Sequence, residues 1–143
     1  MVGTKPVIMV AAGVVLLNEV DEILMQRRAD SGAWGLIGGL MELGETVEET
    51  ARREALEETG LAVGKLELFS VFSSDELHTY PNGDQAQVVT ILFTTDGVTG
   101  VLKPDAEGLE LHYFALDSLP EPLFPPALPM LGAIRKRFDV AKA

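Results

Sequence analysis

Between residues 29 and 61 the chain sets a condition that few folds can meet: a glycine-punctuated connection runs straight into a strongly acidic helix. Residues 29–46 hold Gly32, Gly35, Gly38, Gly39 and Gly44 together with Asp30 and Ser31. That density of turn formers predicts a loop-rich stretch, with short extended pieces around Trp34-Gly35-Leu36-Ile37. Thr46 then stands as a helix N-cap with Glu49 three residues on, the capping-box spacing. Gly60 sits where a glycine ends a helix, so the helix is expected over 46–59.

The rest of the chain has to supply a sheet and a core for this element. The β-branched run 7–17 predicts a first strand, and 22–28 a second one that pairs back on it. Further strands are expected at 65–73, 85–95 and 109–116, with Asn82-Gly83 marking a turn before the 85–95 strand. A proline-studded stretch, 119–129, leads into a weaker helix at 130–140. No repeat, low-complexity tract or linker interrupts this order, which predicts one mixed α/β domain over 1–143. A chain of 143 residues can bury roughly 70% of its unfolded surface, enough for a core without staples. Cysteine is absent, which removes disulfides, thiolate metal sites and cysteine nucleophiles. The run 7–17 is shorter than the roughly 20 apolar residues a membrane helix needs, so a cytoplasmic protein with no membrane partner is expected.

Acidity narrows the chemistry further. The chain carries 22 acidic and 11 basic side chains, a net charge of -11, which disfavours a nucleic-acid polymer as partner. Seven glutamates against Arg52 and Arg53 fall within residues 42–58. On a helical projection with Glu54 at zero, Val47, Ala51 and Ala55 fall at about 20°, 60° and 100°, with Glu58 and Glu57 at about 40° and -60°. Three carboxylates therefore share a face with the small residues that should pack inward, and Arg52 and Arg53 project elsewhere. Carboxylates near a packed face need pairing, protonation or a cation. An all-oxygen donor set suits Mg²⁺ or Mn²⁺ better than zinc. An acidic run also reads as a solvated face with i, i+4 pairs, and the projection leaves both readings open.

The same residues carry a family resemblance. Gly39, five residues, Glu45, seven residues and then Arg53-Glu54-Ala55-Leu56-Glu57-Glu58-Thr59-Gly60-Leu61 resembles the Nudix box without a gap. Trp34-Gly35-Leu36-Ile37-Gly38-Gly39 is similar to the family's lead-in. Glu110, Tyr113-Phe114 and Leu116-Asp117-Ser118-Leu119-Pro120 resemble its late strand. Ile37 stands where the lead-in often has proline, and Ala55 is smaller than the usual residue.

The resemblance implies a Nudix-type α/β/α sandwich with a mixed central sheet and a catalytic loop-helix-loop at about 38–61. It implies hydrolysis of a nucleoside diphosphate linked to a moiety X, giving a nucleoside monophosphate and phosphorylated X. One to three Mg²⁺ or Mn²⁺ ions would be held by Glu54, Glu57 and Glu58, with the Gly39 carbonyl as a further ligand. Glu45 and Arg53 would form the ion pair that holds loop to helix. Glu58 and Glu57 lead as the base, with Glu110 or Glu107 as alternatives. Arg27, Arg28, Gly38, Trp34 and Tyr80 are the substrate-contact candidates, although an isolated tryptophan such as Trp34 is more often core packing than a stacking platform, and Tyr80 reads equally as part of a polar loop. The competing function is a nucleotide-binding module that keeps the fold without catalysis. A homodimer is compatible with the resemblance but required by no residue.

Overall fold

The computed structural model describes residues 5–103 and 110–138. In chain order the elements are β1 (Val7–Val15), β2 (Glu22–Arg27), β3 (Trp34–Gly35), β4 (Ile37–Leu40), α1 (Val47–Thr59), β5 (Leu61–Val63) and β6 (Leu66–Ser73). They continue through β7 (His78–Thr79), β8 (Gln85–Thr95), β9 (Val98–Gly100), β10 (Leu111–Ala115) and α2 (Ala127–Phe138). The main sheet has the order β4-β1-β8-β6, with β7 on β8; β1 and β8 run parallel, and the other pairs are antiparallel. A smaller sheet, β10-β2-β3, stands beside it, and β5 pairs with β9.

Side-chain alternation along the central strands builds two cores. Ala12 and Val14 of β1, Phe93 of β8 and Leu24 of β2 pack with Ala51 and Ala55 of α1. The intervening residues Val15, Leu92, Ile23 and Met25 point the other way, onto Met130, Leu131 and Ile134 of α2. A period of two in the strands thus commits one face to each helix, and the result is a mixed α/β sandwich. Among the described residues no helix is long and apolar enough to cross a membrane, and the apolar run 7–17 supplies the inner strand β1.

Three expectations are corrected. Strand β2 does not form a hairpin ladder with β1, because both edges of β1 are taken by β4 and β8. The two strands meet only where the chain leaves one sheet for the other, at the Leu17–Ile23 bridge and the Leu24 N–H to Leu16 carbonyl bond of 2.9 Å. Strand β2 pairs instead with β10 and β3. The second helix begins at Ala127, ahead of Pro129, since proline lacks only an N–H that a first turn leaves unused. Its expected end at 139–140 lies outside the described residues. The glycine-rich stretch is less of a loop than its composition suggests, because β4 joins β1 with Gly38 opposite Gly13 and Gly39 opposite Ala12.

That glycine pair sets how closely the strands approach. A Cβ on Gly38 would stand 2.6 Å from the Ala12 carbonyl oxygen and 2.7 Å from the Gly13 Cα. A Cβ on Gly13 would meet the Ile37 carbonyl oxygen head-on. Gly13→Ala is therefore expected to cost about 1–3 kcal/mol through overpacking, read as a lower urea midpoint with an unchanged slope.

Candidate active site: a glycine strand, an acidic helix and one arginine

The local sequence explains why α1 starts and stops where it does. The Thr46 hydroxyl accepts the Glu49 N–H at 3.1 Å, and the Glu49 carboxylate accepts the Thr46 N–H at 2.8 Å, closing the capping box. Gly60 ends the helix at φ 78°, a left-handed conformation that favours glycine. Thr50, Ala51, Ala55 and Thr59 form its buried side. These small residues let α1 lie close to β4 and bring its glutamates to the glycines.

Arg53 organises the charge. Its Nε donates to Glu45 at 2.6 Å and its Nη2 donates to Glu45 at 3.1 Å. Nη2 also donates to the Leu40 carbonyl at 3.1 Å, and Nη1 donates to Glu54 at 2.7 Å and to Glu57 at 3.1 Å. The expectation that no arginine serves the carboxylate face is thus corrected. The Arg53 Cα projects away from Glu54, but its long stem carries the guanidinium back across two of the three glutamates. The expected Glu45–Arg53 pair is present in the structure.

The third glutamate has a different partner: Glu58 accepts the Gly38 N–H at 3.0 Å. Glu54 lies against Gly39, where a Cβ would come within 2.5 Å of its Oε1. Glycine at 39 therefore makes room for a carboxylate against the strand backbone. Among the described residues the three glutamates do not converge as a preformed cage, since two turn to Arg53 and one to the Gly38 amide. Their all-carboxylate chemistry, beside the backbone of a glycine strand, nonetheless fits a hard divalent cation.

The other candidates are placed as follows. Arg27 pairs with Glu110 at 2.7 Å and donates to the Gly32 carbonyl at 3.3 Å. Arg28 holds Asp30 through Nε at 3.2 Å and Nη2 at 3.0 Å, and its guanidinium lies 3.9 Å over the Phe124 ring. The guanidinium holds the Asp30 carboxyl below the usual carboxylate range. Trp34 is only 8% exposed, packed edge-on to Phe114 at 5.0 Å and stacked with His112 at 6.4 Å between centroids. It packs as a core residue, the favoured reading of an isolated tryptophan, with its ring buried between protein neighbours, which leaves little of it to stack on a base. Tyr80 packs edge-on to His78 at 4.6 Å and points its hydroxyl at the Met9 sulfur, 3.8 Å away. This is the end of β1 at which Met41 leaves β4, bonded to Val10. Glu107 lies outside the described residues. The sequence reading passed over Gln26, a carboxamide 7% exposed within β2. Its one signal was an uncharged polar residue directly after the apolar run Ile23-Leu24-Met25.

The Arg53 guanidinium, with help from the Glu42 N–H and the Thr50 hydroxyl, holds the Glu45 carboxyl near a pKa of about 2, from an ordinary 4.5. Glu45 in turn raises the pKa of Arg53. With the folded pKa below the unfolded one, this contribution is complete above about 4.5 and is lost as pH falls toward about 2. Melting temperature should therefore decline through that window, and Glu45→Gln should flatten the decline while lowering stability at neutral pH. Thermal unfolding measured as a function of pH reads both effects.

Comparison with known proteins bears on the family and the fold. The NUDIX domain model matches residues 7–133. The chain is 36% identical over 112 residues to the ADP-ribose pyrophosphatase of Methanocaldococcus jannaschii, covering 76% of this chain and 63% of that protein. It is 33% identical over 118 residues to a MutT-like protein of Streptomyces ambofaciens, covering 82% of this chain and 71% of that one. Among solved structures, the MutT NUDIX hydrolase of Burkholderia pseudomallei superposes with a TM-score of 0.73 at 28% identity, covering 90% of this chain and 98% of that one.

Proposed function

The chain belongs to the Nudix family, and from that premise we propose that it is a divalent-metal-dependent pyrophosphohydrolase acting on a nucleoside diphosphate linked to a moiety X. The products are a nucleoside monophosphate and phosphorylated X. The observation that carries the reading is the seating of Glu54 against Gly39, with Glu57 one turn on and both joined to Arg53.

Glu54, Glu57 and Glu58, with the Gly39 carbonyl, would hold Mg²⁺ or Mn²⁺. Such an ion, when bound, neutralises charge on a diphosphate and lowers the pKa of an attacking water. The chain's own residues do the rest. Arg53 fixes the rotamers of Glu54 and Glu57 and ties them to the loop through Glu45 and the Leu40 carbonyl. The Gly38 N–H orients Glu58. A carboxylate must accept the proton of the attacking water. Glu58 and Glu57 are the leading residues for that role. Glu110 is the less suited alternative, because its carboxylate is already paired with Arg27.

The relative named as an ADP-ribose pyrophosphatase makes ADP-ribose the first substrate to try. The test is a panel of ADP-ribose, nucleotide sugars, dinucleotides and nucleoside triphosphates with Mg²⁺ or Mn²⁺, with products resolved by chromatography. Release of a nucleoside monophosphate from at least one compound is expected. Glu57→Gln should lower kcat at least about 100-fold without shifting the melting temperature. No turnover across the whole panel would overturn the reading and favour a binding module.

A further inference from the structure

One buried polar side chain in the smaller sheet stands without a side-chain hydrogen bond among the described residues. Gln26 is 7% exposed, yet no described residue hydrogen-bonds its carboxamide. A buried amide without partners is costly, and folded proteins leave few of them. None of the fully buried side-chain nitrogen or oxygen atoms lacks a partner. The stem of Gln26 is therefore enclosed while the tip of its amide still meets solvent.

The neighbours of that amide follow from the strand register. Leu111 of β10 is opposite Gln26 on one side and Gly35 of β3 on the other. At Gly35 a Cβ would meet Phe124 at 3.7 Å and the stem of Arg28 at 3.9 Å, so these two side chains close that flank. The charge here is already balanced, because Arg28 is engaged by Asp30 and the neighbouring Arg27 by Glu110. A phosphate finds no free cation at this place, whereas a neutral group with both donors and acceptors matches a carboxamide. From Gly35 the chain runs three residues to Gly38 and four to Gly39, roughly 10–13 Å of extended backbone. A nucleoside joined to a diphosphate held at the glycine strand can bridge that span.

We propose that Gln26 is a specificity residue whose carboxamide reads the nucleoside portion of the substrate, through its ribose diol or the hydrogen-bonding edge of its base. This assignment rests on the function proposed above and adds to it the residue that selects among nucleotides. An unmatched nucleoside leaves the amide without a partner, which is how a buried polar group enforces selection.

The experiment compares wild type with Gln26→Met, similar in size but without the amide. Steady-state kinetics use the best diphosphate from the panel, its 2′-deoxy form and forms with other bases. Loss of one neutral hydrogen bond should raise KM by about 10-fold for the preferred substrate, leave kcat within about threefold, and flatten the preference among the forms. A loss seen with the 2′-deoxy form assigns the contact to the ribose, and one seen with base changes assigns it to the base. Separately, the Gln26 side-chain NH₂ resonance of the wild type is followed by NMR while AMP, GMP, CMP and UMP are added in turn; a shift with one or more is expected. If the wild type turns over no diphosphate, the proposed function fails, and the resonance alone decides the Gln26 assignment. The resonance also decides if Gln26→Met does not fold. An unmoved resonance with all four nucleotides, or an unchanged substrate preference in a folded Gln26→Met, overturns the proposal.

Discussion

The structure around α1 depends on one guanidinium. Arg53 joins the end of β4 through Leu40, the entry loop through Glu45, and the helix through Glu54 and Glu57. Its side chain is 22% exposed, against 17% for Glu45 and 14% for Glu54. At that degree of burial the attraction is only partly screened by water. Without it, seven glutamates in residues 42–58 would repel one another with only Arg52 as relief. Arg52 donates to the Val63 carbonyl and does not serve the carboxylates. Arg53 is thus the reason so acidic a segment can fold back onto a sheet.

Backbone proximity is the second requirement. Arg53 can reach Leu40 only because β4 lies tight against β1, and that contact needs Gly13 opposite Gly38. The same strand presents Gly39 to Glu54 and the Gly38 N–H to Glu58. The glycines in the strand and the small residues on the helix are therefore one device, since each set removes side-chain bulk so that the other can approach. Glycine in a strand is ordinarily a weakness. Here it provides the room that the carboxylates occupy.

Local rules made the helix legible: Thr46, Glu49 and Gly60 act within a few residues of where they stand, and the caps form as those residues predict. The strand at Gln85–Thr95 was equally plain, because its β-branched run has no competing turn former inside it. Pairing was not legible. Which strand lies beside β1 is decided by non-local contacts, and a near neighbour in sequence, β2, loses that place to β4 and β8. The reach of Arg53 was hidden for a related reason. A helical projection locates Cα positions, and a long flexible stem can place its charge well away from its own projected direction. Gln26 shows the limit most clearly, since its lack of a hydrogen-bond partner among the described residues cannot be read from residue type.

Charge balance shows what an anionic substrate would meet. Arg27 is held by Glu110, Arg28 by Asp30, and Arg53 by Glu45, Glu54 and Glu57. The arginines beside the glycine strand are thus already neutralised, in a chain whose net charge is -11. On the proposed function, attraction for a diphosphate cannot come from these side chains without breaking an ion pair. It has to come from divalent cations on the helix glutamates, which convert the most acidic part of the surface into a receptor for phosphate. On the same reading, acidity of this kind disfavours long polyanions, which need an extended basic surface. It leaves room for a small molecule carrying its two phosphates at a single point. The neutral Gln26 carboxamide, in the role proposed for it, complements such a point of charge, because discrimination between nucleotides must be exercised where charge does not dominate.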